Sequence, residues 1–166
     1  IQISDLARST NLDGDLVLTT TDGQSITLVN PDDDYSGQGT YNFVNAFYTG
    51  TFVNGLFNGQ GTMTWIGGNV YVGAFVDGFM TGQGTYTFDD GTVYEGTFVD
   101  GLFNGQGTMT WTDGDVYVGA WVDHSMSGQG TMTLADGTIY QAIFEAGSSG
   151  DDTLIGSIDS NGLIGG

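Results

Sequence analysis

Tyr48, Tyr71, Tyr94, Tyr117 and Tyr140 stand 23 residues apart, and this spacing limits the fold more than any other feature of the chain. The triplet Gly59-Gln60-Gly61 returns at the same interval as Gly82-Gln83-Gly84, Gly105-Gln106-Gly107 and Gly128-Gln129-Gly130, with an earlier copy at Gly37-Gln38-Gly39. A period of this size marks an array of supersecondary units, each burying its apolar face against its neighbours. One unit, residues 94–116, reads YEGTFVDGLFNGQGTMTWTDGDV. It holds two alternating segments, residues 94–98 and 106–111, with a Gly-rich loop between them and a turn at Thr112-Asp113-Gly114-Asp115. Two short strands with turn chemistry at both ends make a β-hairpin, so the array is a row of hairpins. Thirty Gly against one Pro, without a triplet period, leaves little sequence for helices and points to an all-β protein.

Alternation assigns the faces. Tyr94, Gly96 and Phe98 share one side of their strand, and Gly107, Met109 and Trp111 share one side of theirs. Repetition turns these positions into ladders, Tyr48 to Tyr140 as above, then Phe52, Phe75, Phe98, Trp121 and Phe144, and Trp65, Phe88, Trp111 and Leu134. Such a stripe is either a core or a surface for sugars or peptides. The core reading is favoured, because a single-layer sheet has no other place to bury apolar area. The other face carries paired Thr, from Thr62 and Thr64 to Thr131 and Thr133, and is expected to be solvated and inert.

The unit resembles the MORN repeat, with its pattern of a Tyr, spaced Gly and aromatic residues, over about residues 34–145. That resemblance implies an elongated, twisted, single-layer antiparallel sheet that grows by one hairpin per repeat. It also exposes a departure. Where ordinary units of the family have a base-rich loop, this chain has Val53-Asn54-Gly55-Leu56-Phe57-Asn58-Gly59, Val76-Asp77-Gly78-Phe79-Met80-Thr81-Gly82, Val99-Asp100-Gly101-Leu102-Phe103-Asn104-Gly105 and Val122-Asp123-His124-Ser125-Met126-Ser127-Gly128. Phosphoinositide binding, often suggested for the family, would depend on those bases and is rejected. In their place Leu56, Phe57, Phe79, Met80, Leu102, Phe103 and Met126 form an apolar edge, opposite an edge of turns rich in Asp. Either each pair folds back over its own hairpin, or the edge is exposed and is an interface with another chain.

The charge balance excludes whole classes of partner. Twenty acidic residues, all Asp except Glu95 and Glu145, face one base, Arg8, for a formal net charge of -19. Nucleic acids and anionic membranes need Lys and Arg to replace counterions, so neither is an expected partner. Absence of Cys removes thiol chemistry and zinc-thiolate sites, no apolar run is long enough to span a bilayer, and no signal peptide is visible. The start at Ile1 suggests a fragment or a processed product.

The two ends depart from the repeat, which divides the chain into an N-terminal hairpin segment (1–30), the repeat sheet (31–145) and a Gly/Asp-rich tail (146–166). Residues 15–29 read as a hairpin turning at Asp22-Gly23, and their phrasing is similar to a short β-element of giant secreted bacterial adhesins. In the tail, residues 150–156 are echoed nine residues on, and the echo resembles the RTX nonapeptide, a calcium-binding parallel β-roll. The resemblance implies Asp152 as a calcium ligand, with Asn161 as its weaker equivalent. Ser148-Ser149 and Asp159 depart from the nonapeptide pattern, which makes the tail either the start of a longer tract or a degenerate spacer.

Catalytic groups are scarce. His124 is alone in a loop, the chain has no Lys or Cys, and paired carboxylates such as Asp89-Asp90 lie in turns, where Asp caps backbone donors. No enzyme is expected, and no cofactor apart from calcium. Adhesin-like and RTX-like ends, absence of Cys and near absence of bases together favour a non-enzymatic extracellular protein of a bacterium, one that self-associates as a filament, matrix or adhesin segment. The alternatives are a module that binds a protein, peptide or glycan, a viral tail-fibre segment, and an accessory domain of an enzyme.

Overall fold

The computed structural model describes residues 35–144 throughout and, outside them, the backbone of five terminal strands. The terminal strands are β1 (Ala7–Thr10), β2 (Leu16–Thr19), β3 (Ser25–Leu28), β14 (Thr153–Ile158) and β15 (Ile164–Gly165). Between them run β4 (Gly37–Asn42), β5 (Ala46–Val53), β6 (Leu56–Trp65), β7 (Val70–Val76), β8 (Phe79–Thr87), β9 (Val93–Val99), β10 (Leu102–Thr110), β11 (Val116–Val122), β12 (Ser125–Thr133) and β13 (Ile139–Phe144). From β4 to β13 each strand pairs antiparallel with the next in chain order, so the repeats form one open, all-β sheet. The described residues contain no helix.

Within each repeat the two strands are joined by only two residues. Asn54-Gly55, Asp77-Gly78, Asp100-Gly101 and Asp123-His124 all have positive φ, between 47° and 90°, as a type I′ turn requires. The twist of that turn matches the twist of the strands it joins. The Gly-rich stretch expected as a loop is therefore mostly strand, since β10 already begins at Leu102. Its first glycine does a different task. Gly59, Gly82, Gly105 and Gly128 sit inside strands at φ between 63° and 68°, beside register shifts such as that between Asn104 and Gly107. They form β-bulges, which add local twist at one point in every hairpin.

The core follows from this arrangement. Tyr48, Tyr71, Tyr94 and Tyr117 are fully buried, with Phe52, Phe75, Phe98 and Trp121 beside them. Each Tyr ring lies over the bare backbone of two glycines. A Cβ built on Gly96 would stand 2.7 Å from both Tyr94 Cζ and Gly107 Cα, so a side chain there must displace the ring. Each hydroxyl in turn donates to the carbonyl just past its register shift, as Tyr48 does to Thr51 (3.0 Å), Tyr71 to Ala74 (3.0 Å), Tyr94 to Thr97 (3.1 Å) and Tyr117 to Ala120 (3.1 Å). The ring thus supplies apolar burial while its polar tip satisfies the backbone at the bulge. Among the described residues no buried side-chain polar atom lacks a partner.

At the N-terminal end β2 and β3 pair antiparallel, as expected of a hairpin, but β3 meets β4 in parallel through Leu28 and Thr40. At the other end β14 pairs antiparallel with β13 and β15 turns back on β14. A parallel β-roll was expected there, and the observed pairing corrects it. The free edge of β13 offers backbone donors and acceptors that an antiparallel strand satisfies directly.

Candidate functional site

The apolar pairs singled out in the sequence are split between the two faces. Because Leu102 and Phe103 belong to a strand, their side chains must point to opposite sides. Phe103 is 5% exposed and stacks on Tyr94, ring centres 3.9 Å apart and planes 11° from parallel. Phe57 stacks likewise on Tyr48 at 4.0 Å, while Met80 and Met126 pair with Phe75 and Trp121 on the same face and are partly buried. Leu56, Phe79 and Leu102 pair instead with Val53, Val76 and Val99 on the other face. The expectation of one apolar edge containing all seven residues is therefore corrected for Phe103, which is held in the core, and for Phe57, which is partly buried against it. A loop would have left both members of a pair free to share an edge, and a strand does not.

The aromatic face is not sealed. Beside the buried Tyr ladder lies an open groove of about 520 Å3, lined by Trp65, Met80, Tyr86, Phe88, Gly101, Phe103, Met109 and His124. Trp65, Tyr86 and Phe88 come from the far ends of the even strands and their turns, where the ring ladder meets solvent, and all three are only partly buried. Their rings form a tilted to edge-on series, Trp65 to Tyr86 at 5.7 Å, Tyr86 to Phe88 at 4.8 Å and Phe88 to Phe103 at 6.1 Å. Such rings present flat apolar surface at low conformational-entropy cost. Met80 adds a flexible, partly buried apolar side chain, whereas Met109 is buried.

His124 forms one wall. It occupies the second turn position, where the other three repeats have Gly, and adopts φ 68°. Its Nδ1 accepts the Phe103 backbone N–H at 3.3 Å, and its ring meets Phe103 edge-on at 4.5 Å. These contacts fix an exposed imidazole at the groove's rim. The imidazole is exposed in a turn, as expected of a solvated loop His, but nothing in the sequence signals its contact with Phe103, and Tyr86 was overlooked although it precedes Phe88 by the alternation that joins Met109 to Trp111.

Burial pushes the Tyr48, Tyr71 and Tyr94 hydroxyls up to about 12, so they stay neutral at physiological pH. Burial and the nearby Asp89 carboxylate raise Tyr86 as well. The turn carboxylates act locally. Asp90, Asp113 and Asp136 each accept the backbone N–H two residues on, and the bonds from Thr138 hold Asp136 below its ordinary range. Asp115 accepts the N–H of Ala135 in the next turn, which ties adjacent hairpins together. Among the described residues no group of three or more His, Asp or Glu side chains is placed to hold a metal ion. Asp152 and Asn161, the expected calcium ligands, lie outside the described residues.

Comparison with known proteins agrees with the repeat. Residues 48–70, 71–93, 94–116 and 117–139 each match the MORN repeat, and the match extends to neither terminus. No curated protein sequence matches the chain. Among solved structures, the TCP domain of Drosophila melanogaster SAS-4 (dCPAP), in complex with a proline-rich motif of Ana2 (dSTIL), is similar at 14% identity and a TM-score of 0.48, covering 99% of this chain and 91% of that one. The wild-type TCP10 domain of Danio rerio CPAP, in complex with a peptide of STIL, is 14% identical with a TM-score of 0.22, covering 97% of each chain.

Proposed function

The chain belongs to the MORN-repeat family, and from that premise we propose that it is a non-catalytic module that holds an apolar segment of a partner protein on its aromatic face. One observation carries this reading. The groove between Trp65 and His124 leaves the rings of Trp65, Tyr86 and Phe88 and the side chain of Met80 only partly buried, beside a Tyr ladder that is fully buried. An apolar cleft with a few polar groups at its rim is the usual form of a recognition site. The hydroxyl of Tyr86 and the imidazole of His124 are the polar groups that would orient the bound segment.

Self-association as a filament, matrix or adhesin segment is the second reading, and the apolar side chains left exposed on the sheet support it. Against it stands the formal charge of -19 on every copy, which opposes assembly at low salt. An extracellular setting belongs to the same proposal and rests on composition.

A random peptide library panned against the full chain tests the groove. Peptides that carry aromatic or branched apolar residues should be enriched, and calorimetry should find their affinity reduced at least tenfold in the Tyr86→Ser and Phe88→Ser variants. Equal affinity for wild type and both variants would remove the groove from the account. Regular polymers of the pure protein would favour the second reading.

A further inference from the structure

The face opposite the groove carries a second surface, independent of the first. Val53 and Leu56, Val76 and Phe79, and Val99 and Leu102 face each other across the two-residue turns. Five of these six side chains are 43% to 58% exposed. They form three apolar rungs along one margin of this face, while farther in it carries Gln60, Gln83, Thr85 and Glu95 beside the exposed Val72. The fold does not need them there, since none joins the buried cluster of aromatic residues. Contiguous exposed rungs of this sort on a soluble chain mark a contact surface.

Carboxylates border the rungs. Asp77, Asp100 and Asp123 are the first residues of three successive turns. Asn58 Nδ2 donates to Asp77 Oδ1 at 3.3 Å and Asn104 Nδ2 to Asp123 Oδ1 at 3.2 Å, which keeps two of them beside the rungs of the preceding hairpin. The chain has one base in 166 residues, Arg8, so a partner that brings Lys or Arg to this margin would meet charges that have no Lys or Arg neighbour among the described residues. A second copy would bring carboxylate against carboxylate.

Spacing narrows the occupant further. Rungs one hairpin apart are separated by two strand intervals, about 10 Å. An α-helix laid across the strands brings every seventh residue to one side at about 10.5 Å, whereas alternate residues of an extended strand repeat at about 7 Å. We propose that this margin docks an amphipathic α-helix of another protein, with apolar side chains at heptad spacing on the rungs and Lys or Arg along the flank that faces Asp77, Asp100 and Asp123.

The test uses the full chain and two synthetic three-heptad peptides with the same Leu stripe, one flanked by Lys and one by Glu. Calorimetry at physiological salt should find binding of the Lys peptide only. Affinity should fall at least tenfold in the triple variant Leu56→Ser, Phe79→Ser, Leu102→Ser and again in Asp77→Asn, Asp100→Asn, Asp123→Asn, while Tyr86→Ser leaves it unchanged. Circular dichroism of the two triple variants should match the parent, since their altered side chains lie outside the buried cluster. No binding, or binding that survives the triple Ser change, overturns the proposal, the latter because it reflects bulk attraction alone. Sedimentation of the chain by itself supplies a further check. A dimer dissolved by the triple Ser change would make a second copy the occupant and overturn the helix assignment.

Discussion

The two faces of the sheet are built from the same strands, yet one encloses an unbroken ladder of rings and the other leaves Val, Leu and Phe in solvent. Phe79 and Phe103 make the contrast plain. Both sit next to a two-residue turn, and they differ in position by a single residue relative to it. Phe79 is the first residue of its strand, pairs with Val76 and is 58% exposed. Phe103 is the second, stacks on Tyr94 and is 5% exposed. In a period-2 structure one step of register decides whether the same side chain is core or contact surface. Composition cannot report that step.

Substitution at the two positions should show the largest difference. Phe103→Ala removes a ring packed against Tyr86, Phe88, Tyr94, Phe98 and Trp121 and should cost about 3 to 5 kcal/mol in chemical denaturation, whereas Phe79→Ala should change stability by about 0.5 kcal/mol or less. Equal costs would erase the distinction between the faces. Next in size is Gly96→Ala, whose new methyl group would meet Tyr94 and the Gly107 backbone. Overpacking of this kind costs about 1 to 3 kcal/mol, measurable as a lower melting temperature.

Alkaline pH sharpens the comparison without mutation. The hydroxyls of Tyr48, Tyr71 and Tyr94 have folded values near 12 against about 10 when solvated. Their contribution to stability is fully present below pH 10 and is lost as pH rises from 10 to 12, because the unfolded chain releases these protons first. The urea midpoint should fall across that window, in step with a late tyrosinate absorbance change. A midpoint constant to pH 12 would contradict burial of the ladder. The smallest effect is expected at His124→Gly. Relief of the positive φ and loss of the Phe103 contacts oppose each other, so stability should stay within about 1 kcal/mol while one wall of the groove is removed.

Much of this architecture was legible because identical chemistry recurs at fixed offsets. Tyr94, Gly96 and Phe98 announced their common face, and Asp at positions 90, 113 and 136 announced its turns. The positions misread were those where one residue type does two tasks. Gly101 ends a tight turn and Gly105, four residues on, forms a bulge inside a strand, so together they looked like a single loop. Once Leu102 to Asn104 were read as loop, the alternation that divides Leu102 from Phe103 was hidden. The contact of His124 with Phe103 escaped because the two are 21 residues apart in sequence and meet only once the hairpins are stacked.

The absence of Cys from the chain permits a direct test of this division. Single Phe79→Cys and Phe103→Cys variants, treated with a thiol reagent under native conditions, report the exposure of each position. The account predicts that Phe79→Cys reacts at nearly the rate of an unfolded chain, while Phe103→Cys reacts at least a hundredfold more slowly until denaturant is added. Equal native rates at the two positions would contradict it.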